Sequence, residues 1–221
     1  MATSNSRDFD LDVSDIIEEA YERCGLEVRT GYDARTARRS MNLMFADWAN
    51  RGVNLWTVRQ ATITLTNNQA TETLGADVVD LLEVVLRRSN TDFDLTRLSR
   101  GDYLSIPNKT TQGRPSQFFF NRQITPQITL WPTPENSTDQ IVYYYLRRIE
   151  DADALTNNVE LPFRFLPCAV AGMAYYIALK KAPERVQLLK NVYEEEFQRA
   201  ADEDEDRVSL KLQPDIQYLR V

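Results

Sequence analysis

The sequence predicts an α+β fold: a four-helix bundle, made of two N-terminal and two C-terminal helices, with an inserted antiparallel β lobe and extended terminal arms. Two segments with the helical apolar period precede the middle of the chain and two follow it. The middle segment instead alternates apolar and polar residues, which is the period of a strand. Because amphipathic helices are stable when their apolar stripes pack together, we expect all four in one bundle.

The length and the apolar content fit one domain that carries an insertion. The chain has 221 residues, of which 43% are hydrophobic, and this is enough to form a core. The pattern predicts an N-terminal arm at residues 1–11, the helical bundle at 12–52 and 160–206, the β lobe at 53–159 and a C-terminal arm at 207–221.

The first two helices are predicted from their apolar spacing and their end signals. Apolar residues at i, i+3, i+4 and i+7 indicate a helix over residues 12–24, with Asp12 as its N-cap and Gly25 as its stop. A second apolar stripe indicates a helix over residues 33–50, with Asp33 as its cap. The short link between them favours an antiparallel pair.

The middle of the chain is predicted as an antiparallel β unit, because its apolar runs are short and separated by turn residues. The predicted strands are one from Ala61 onward and the segments 81–88, 117–121, 127–131 and 140–148. Residues 94–105 are predicted to hold a short helical turn. Within it, Ser99 and Asp102 match a capping box, so the Arg-Gly-Asp tripeptide is interpreted as part of a helix start.

The chain returns to helix after Leu161-Pro162. The next helix is apolar around much of its circumference and is therefore predicted at the centre of the bundle. Ala182-Pro183-Glu184 ends it and opens the last helix, since proline is favoured in a first turn. That helix ends in the acidic run 202–206.

The composition argues against an enzyme and predicts no cofactor or metal. The chain has no histidine and no Gly-rich phosphate loop, and its formal net charge is −7. Cys24 and Cys168 lie in helical segments and are predicted to be reduced and buried. We expect neither a secretory signal nor a membrane span, because the longest apolar stretch, 165–179, is shorter than the roughly 20 residues that a span needs.

The predicted C-terminal arm carries apolar residues beyond the last helix. These are Val208, Leu210, Leu212, Ile216, Tyr218 and Leu219. A monomer gains little by burying them so far along the chain, so we interpret the arm as a segment that docks on a partner. The alternatives are an arm folded over its own β lobe and an arm without fixed structure.

Two runs of three aromatic residues lie in predicted strands. They are Phe118, Phe119 and Phe120, and Tyr143, Tyr144 and Tyr145. Because strand side chains alternate faces, each run places rings on both faces of its sheet. The second face could meet a neighbouring subunit, could be buried within the same chain, or could stack single-stranded nucleic acid.

Charge is segregated between the predicted second and last helices. Arg35, Arg38 and Arg39 cluster in the second helix, whereas residues 194–196 and 202–206 make the last one acidic. The two surfaces could be complementary between neighbouring subunits, or both could simply face solvent. An acidic surface could also line a channel through which DNA passes without binding, because like charges repel.

Several segments, taken in order, resemble a known family. They are Ala34-Arg35, Asn42 and Arg51-Gly52 leading to Trp56, then the inserted strands, then Leu161-Pro162-Phe163-Arg164 and Ala182-Pro183-Glu184, and last a Glu-rich helix followed by a tail. This order is similar to that of the tail tubular protein A family, the head-to-tail adaptors of podoviruses. The resemblance covers about residues 12–206, and residues 90–115 carry no feature of the family.

The resemblance implies a structural virion protein. Such adaptors form a dodecameric ring between the portal protein and the tail nozzle, and their channel carries the genome without sequence-specific binding. The helical part and the C-terminal arm would face the portal, and the β lobe would meet the nozzle or tail fibres. The protein would assemble in the host cytoplasm and end at the head–tail junction, with no membrane partner.

Two other classes of function stay open at this stage. A nucleic-acid-binding or other non-catalytic interaction module would use Arg35, Arg38, Arg39, Arg147 and Arg148 together with the aromatic residues, and its DNA binding would depend on salt. An enzyme would need paired carboxylates in a cleft, and the sequence offers no such motif that we can place.

Deletion of residues 208–221 should leave the helices folded and abolish docking to the portal, because the apolar stripes of the helices lie earlier in the chain. Circular dichroism checks the fold, and co-sedimentation with portal rings checks docking. Retained docking by the truncated chain would exclude this role for the arm.

Overall fold

The computed structural model describes residues 5, 11–52 and 55–204. The described α-helices are α1 (Val13–Arg23), α2 (Gly31–Arg51), α3 (Arg100–Ser105), α4 (Leu166–Lys181) and α5 (Val186–Glu203). The described strands are β1 (Val58–Thr64), β2 (Thr71–Thr73), β3 (Val78–Arg88), β4 (Thr91–Asp94), β5 (Thr96–Leu98), β6 (Gln112–Gly113), β7 (Gln117–Asn121), β8 (Gln127–Trp131), β9 (Thr133–Pro134) and β10 (Gln140–Arg147). The chain is therefore mixed α+β. The predicted C-terminal arm and most of the predicted N-terminal arm lie outside the described residues.

The first two helices begin with capping boxes, and one of the two predicted caps is wrong. Asp12 caps α1 as predicted, since its Oδ1 accepts a hydrogen bond from the Asp15 amide at 2.8 Å. α2 is capped by Thr30 and not by Asp33. Asp33 is instead the third residue of that helix, and its carboxylate accepts a hydrogen bond from the Thr30 amide at 3.1 Å. The Thr-x-x-Asp pair satisfies two backbone donors at once, which starts the helix two residues earlier than predicted.

Helix α4 is enclosed by the other three long helices. Ten of its sixteen residues are buried and they lie on all of its sides, as its all-round apolar pattern indicates. α1, α2 and α5 each pack against it, and α1 also contacts α2. The core that they share is formed by Val13, Ile16, Ile17, Tyr21, Met41, Met44, Phe45, Trp48, Phe165, Met173, Ile177, Leu189 and Tyr193, among others.

Gly172 of α4 lies in close contact with side chains of α2 and α5. A Cβ atom there would lie 2.5 Å from the Met44 sulfur of α2 and 2.9 Å from the Tyr193 ring of α5, so a glycine lets the three helices meet. Beside this contact, the fully buried Trp48 donates a hydrogen bond from its Nε1 to the Tyr193 hydroxyl at 2.8 Å. This bond satisfies both polar atoms in an otherwise apolar core.

Eight of the ten described strands form two four-stranded sheets with their own core, and β6 and β9 form a two-stranded sheet. One sheet has the order β1-β10-β3-β4 and the other β2-β8-β7-β5. The sheets bury a second apolar cluster, separate from that of the helices, and it contains Leu65, Leu74, Val78, Leu81, Val84, Leu86, Leu95, Phe118, Phe120, Ile128, Leu130, Ile141 and Tyr143.

The β part is not wholly antiparallel, which corrects the prediction. Most strand pairs are antiparallel, but β5 pairs with β7 and β6 with β9 in parallel. The segment 94–105 holds the predicted short helical turn, the helix α3, and also the strand β5 before it. That helix does begin at the predicted capping box, since the Ser99 Oγ accepts a hydrogen bond from the Asp102 amide at 3.1 Å.

The chain enters and leaves the β part at neighbouring points. Val58 at the start of β1 pairs with Leu146 near the end of β10, so the two connections to the helices lie side by side. The returning segment packs along α1, where the Val13 amide donates to the Asn157 carbonyl at 3.0 Å. It also contacts α2, where the Asn42 side chain accepts a hydrogen bond from the Ala152 amide at 2.8 Å.

A buried carboxylate joins three segments at the end of α5. The Asp204 side chain is 4% exposed and forms an ion pair with Arg164, just before α4. Its other oxygen accepts a hydrogen bond from the Leu55 amide at 2.7 Å, just after α2. Because both of its oxygens are paired, this buried charge is tolerated and the end of α5 is held in place.

Substitution of Trp48 by alanine should lower the free energy of unfolding by about 3–5 kcal/mol, the usual cost of truncating a large buried aromatic residue. The side chain is 0% exposed, and its loss also removes the partner of the Tyr193 hydroxyl. Urea denaturation measures the change. Leu43→Ala, on the exposed face of the same helix, should change stability by less than about 0.5 kcal/mol. Equal losses in the two variants would contradict this account of the core.

Candidate interaction surfaces

The phenylalanine run of β7 is buried by its own chain. Phe118 and Phe120 lie in the core of the β part. Phe119 points to the opposite face, where its ring stacks on Tyr103 of α3 with 5.2 Å between centroids. The second face of this strand is therefore covered from within the chain, which was one of the alternatives that the sequence left open.

The tyrosine run of β10 leaves one ring on the surface. Tyr143 is buried in the β core and Tyr145 packs against it, with 5.6 Å between their ring centroids. Tyr144 lies between them on the other face and is 41% exposed. Leu82, on the neighbouring strand β3, is also exposed. Of the six aromatic residues predicted to mark an interface, Tyr144 is thus the one best placed to contact another molecule.

The predicted arginine cluster forms a basic patch near the start of α2. Arg35 and Arg39 are exposed and Arg38 is half-buried. None of these three arginines forms an ion pair with another residue that the structure describes. Three neighbouring positive charges without partners repel one another, so an acidic partner would stabilise this surface.

Lys180, which was not predicted from the sequence, belongs to the same basic patch. Lys180, near the end of α4, donates hydrogen bonds to the Ser40 hydroxyl at 2.5 Å and to the Thr36 carbonyl at 3.4 Å. Burial, and then the positive charges of Arg39 and Lys181, lower the pKa of Lys180. No local signal links residues 39 and 180, because only the packing of α4 on α2 brings them together.

The acidic residues of α5 are largely paired within the chain. Arg51, at the end of α2, donates two hydrogen bonds to the Glu194 carboxylate at 2.7 and 3.1 Å. Its guanidinium also lies over the ring of Phe197, 4.7 Å from the centroid. Glu195 and Glu196 both pair with Arg199. These carboxylates therefore carry less free negative charge than their sequence indicates.

A large apolar groove lies between α1 and the start of α4. Its volume is about 880 Å³. Its apolar lining is formed by Leu11, Phe163, Leu166, Pro167 and Val170, and its mostly acidic rim by Asp15, Glu18, Glu19, Glu22 and the single cation Arg23. This groove was not predicted from the sequence. The spacing of the acidic residues in α1 does place them on one outward face of that helix.

The described residues show neither a metal-binding cluster nor a membrane segment. Within these ranges, no group of three or more histidine, cysteine, aspartate or glutamate side chains is arranged to hold a metal ion. None of the described helices combines the length and the apolar character needed to cross a lipid bilayer. The surfaces that the fold does offer, namely an exposed tyrosine, a basic patch and an apolar groove, are suited to contacts with macromolecules.

A family model described as SU10 adaptor protein matches residues 11–215, nearly the whole chain. The chain belongs to the SU10 adaptor protein family. No curated protein sequence matches the chain. The match supports a structural role as a phage adaptor, a virion component that interacts with other head–tail proteins. It also argues against an enzyme.

The family match supports the broader part of the sequence prediction. A phage adaptor was predicted, and the family supports that role. The narrower resemblance to podovirus tail tubular protein A goes beyond what the match supports. The arm residues Val208, Leu210, Leu212, Ile216, Tyr218 and Leu219 lie outside the described residues.

The two cysteines of this SU10-family adaptor should not react with thiol reagents in the folded chain. Both are free and buried, and desolvation raises the pKa of the Cys168 thiol to about 12 and also raises that of Cys24. A raised pKa keeps each thiol protonated at pH 8, and the thiolate is the reactive form. Ellman's reagent should therefore detect almost no thiol in the native protein and both thiols in guanidinium. Rapid labelling of the native protein would contradict this burial.

Proposed function

We propose that this SU10-family protein is a head-to-tail adaptor whose copies form a ring joining the portal to the tail nozzle. The opening of the ring is then part of the channel through which DNA is ejected. Membership in an adaptor family carries the proposal. The resemblance to tail tubular protein A supplies its finer part, namely a dodecamer at the head–tail junction of the virion.

The proposed orientation follows the division of the chain. The helical bundle, residues 12–52 and 160–206, faces the portal together with the C-terminal arm at 207–221. The β lobe, residues 53–159, faces the nozzle or the tail fibres. The separate apolar cores of the helices and of the strands support this division in outline, although Ala152 of the returning segment lies in the core of the helices.

The basic patch is proposed to form the contact between neighbouring copies. Arg35, Arg38 and Arg39 have no ion-pair partner among the described residues, whereas the chain as a whole is acidic. A basic patch that meets an acidic surface of the next copy makes a head-to-tail interface, and such interfaces close into rings. Asp202 on α5 is exposed and is a candidate for that acidic surface.

The net charge fits a channel that DNA crosses without binding. Twelve copies with a formal charge of −7 each would carry about −84, which repels the phosphate backbone. The patch of unpaired arginines is the one observation that favours the alternative, a nucleic-acid-binding module. In that case the isolated subunit would bind DNA, with an affinity that falls steeply as salt rises.

Light scattering tests the proposal on the chain alone and mixed with its cognate portal ring. The wild-type chain should join the portal in many copies, or form a ring by itself. Arg35→Glu combined with Arg39→Glu should weaken assembly at least about tenfold, because it places like charges at the interface. Arg100→Glu, at the start of the exposed helix α3, is the matched control and should assemble normally.

Two outcomes would overturn the proposal. A wild-type monomer that ignores the portal would exclude the adaptor ring. Salt-dependent DNA binding by that monomer, lost in the Arg35→Glu and Arg39→Glu variant, would establish the nucleic-acid-binding alternative instead.

A further inference from the structure

The groove between α1 and the start of α4 is apolar and open to water. Phe163, at one end of it, is 68% exposed. A cavity of about 880 Å³ is large enough to hold a peptide segment with several side chains.

The rim of the groove specifies a positively charged occupant. Asp15, Glu18, Glu19 and Glu22 follow one another along α1 on the side of the groove. Glu19 pairs with Arg23, whereas Glu18 and Glu22 form no ion pair with any residue that the structure describes. The fitting partner is therefore a segment with apolar side chains on one face and cations on the other.

The described chain ends beside this groove. Asp204 is held by its ion pair with Arg164, and Arg164 is the neighbour in sequence of the groove residue Phe163. Asp204, the last residue that the structure describes, is therefore held by the segment that also carries Phe163. Because α1 and α4 run in the same direction there, a segment entering at Phe163 would follow α1 toward Glu22.

The sequence that follows Asp204 matches the groove in pattern and length. Residues 207–212 read Arg-Val-Ser-Leu-Lys-Leu, and in an extended conformation three apolar side chains would face one way and Arg207 and Lys211 the other. Six extended residues span about 20 Å. The eleven residues of α1 span about 17 Å, so the two lengths agree.

We propose that residues 207–212 occupy this groove of their own chain, with Val208, Leu210 and Leu212 on its apolar floor and with Arg207 and Lys211 facing the free carboxylates of α1. The N-terminal residues 1–10 are the other nearby segment, and they fit less well. Their single cationic side chain, Arg7, is next to Asp8, and Asp10 follows, whereas residues 207–212 carry two cationic side chains and no acidic one.

This occupancy belongs to the isolated subunit and does not depend on the proposed ring. It gives the arm a binding site before assembly, so a portal that captures the arm has to displace it from the groove. The acidic rim makes the docked state sensitive to salt, because rim and segment are held partly by exposed charges.

Zero-length cross-linking of the full chain tests the proposal directly. A carbodiimide joins an amine to a carboxylate that it already contacts, so Lys211 should become linked to Glu18 or Glu22, as read by mass spectrometry of the digested protein. An equal mixture of ¹⁵N-labelled and unlabelled chains distinguishes links within one copy from links between copies. Peptide pairs that carry a single isotope are expected.

Two matched variants separate specific docking from chance contact. Leu210→Asp combined with Leu212→Asp should reduce the link at least about tenfold, because both charges would enter the apolar floor. Gln217→Asp adds a charge outside the segment and should leave the link unchanged. All of these measurements use the chain without the portal, so a failure of the ring proposal does not affect them.

Three results would overturn the proposal. Mixed-isotope pairs alone would assign the groove to the segment of a second copy. Links from the N-terminal amine to α1, with none from Lys211, would assign it to residues 1–10. A Lys211 link that persists in the Leu210→Asp and Leu212→Asp variant would show a contact that does not use the groove.

Discussion

The fold depends on the need to enclose α4. A helix that is apolar on all sides is unstable in water, so other segments must cover most of its surface. The cover comes from α1 and α2, which precede the strands, and from α5, which follows them. The chain therefore returns to its starting point after building the β part. The same close packing explains the glycine at position 172, because a Cβ atom there would overlap side chains of α2 and α5.

The packing of α1, α2 and α5 around α4 also determines which helix surfaces remain for partners. With the inner faces of α1, α2 and α5 committed to α4, each helix presents only its outer face. Among the residues that the structure describes, arginines on the outer face of α2 and carboxylates on that of α1, beside the apolar groove, form no ion pair. The acidic face of α5 is instead partly neutralised by Arg51, which is held by Glu194 and lies over Phe197. The surface thus separates into charged regions of opposite sign.

The sequence predicts the helices well because their signals are local. Apolar spacing and capping residues lie within a few positions of one another. The start of α2 differs from the prediction, because Thr30 and not Asp33 is its N-cap. Strands of two or three residues, such as β2 and β6, are too short to show alternation, and they were missed. The parallel pair β5 and β7 and the groove between α1 and α4 join distant segments, so no local pattern could reveal them. The candidate surfaces were accordingly predicted only in part.

The paired ends of β1 and β10 affect how the molecule carries mechanical load. The β part is tied to the helices by two covalent connections, and these leave at neighbouring positions because Val58 pairs with Leu146. A pull that separates the two parts would stretch both strands in the same direction from the same end. The tension is then shared between β1 and β10, and the two strands do not slide past each other. The hydrogen bonds between these strands are therefore neither sheared nor opened one by one.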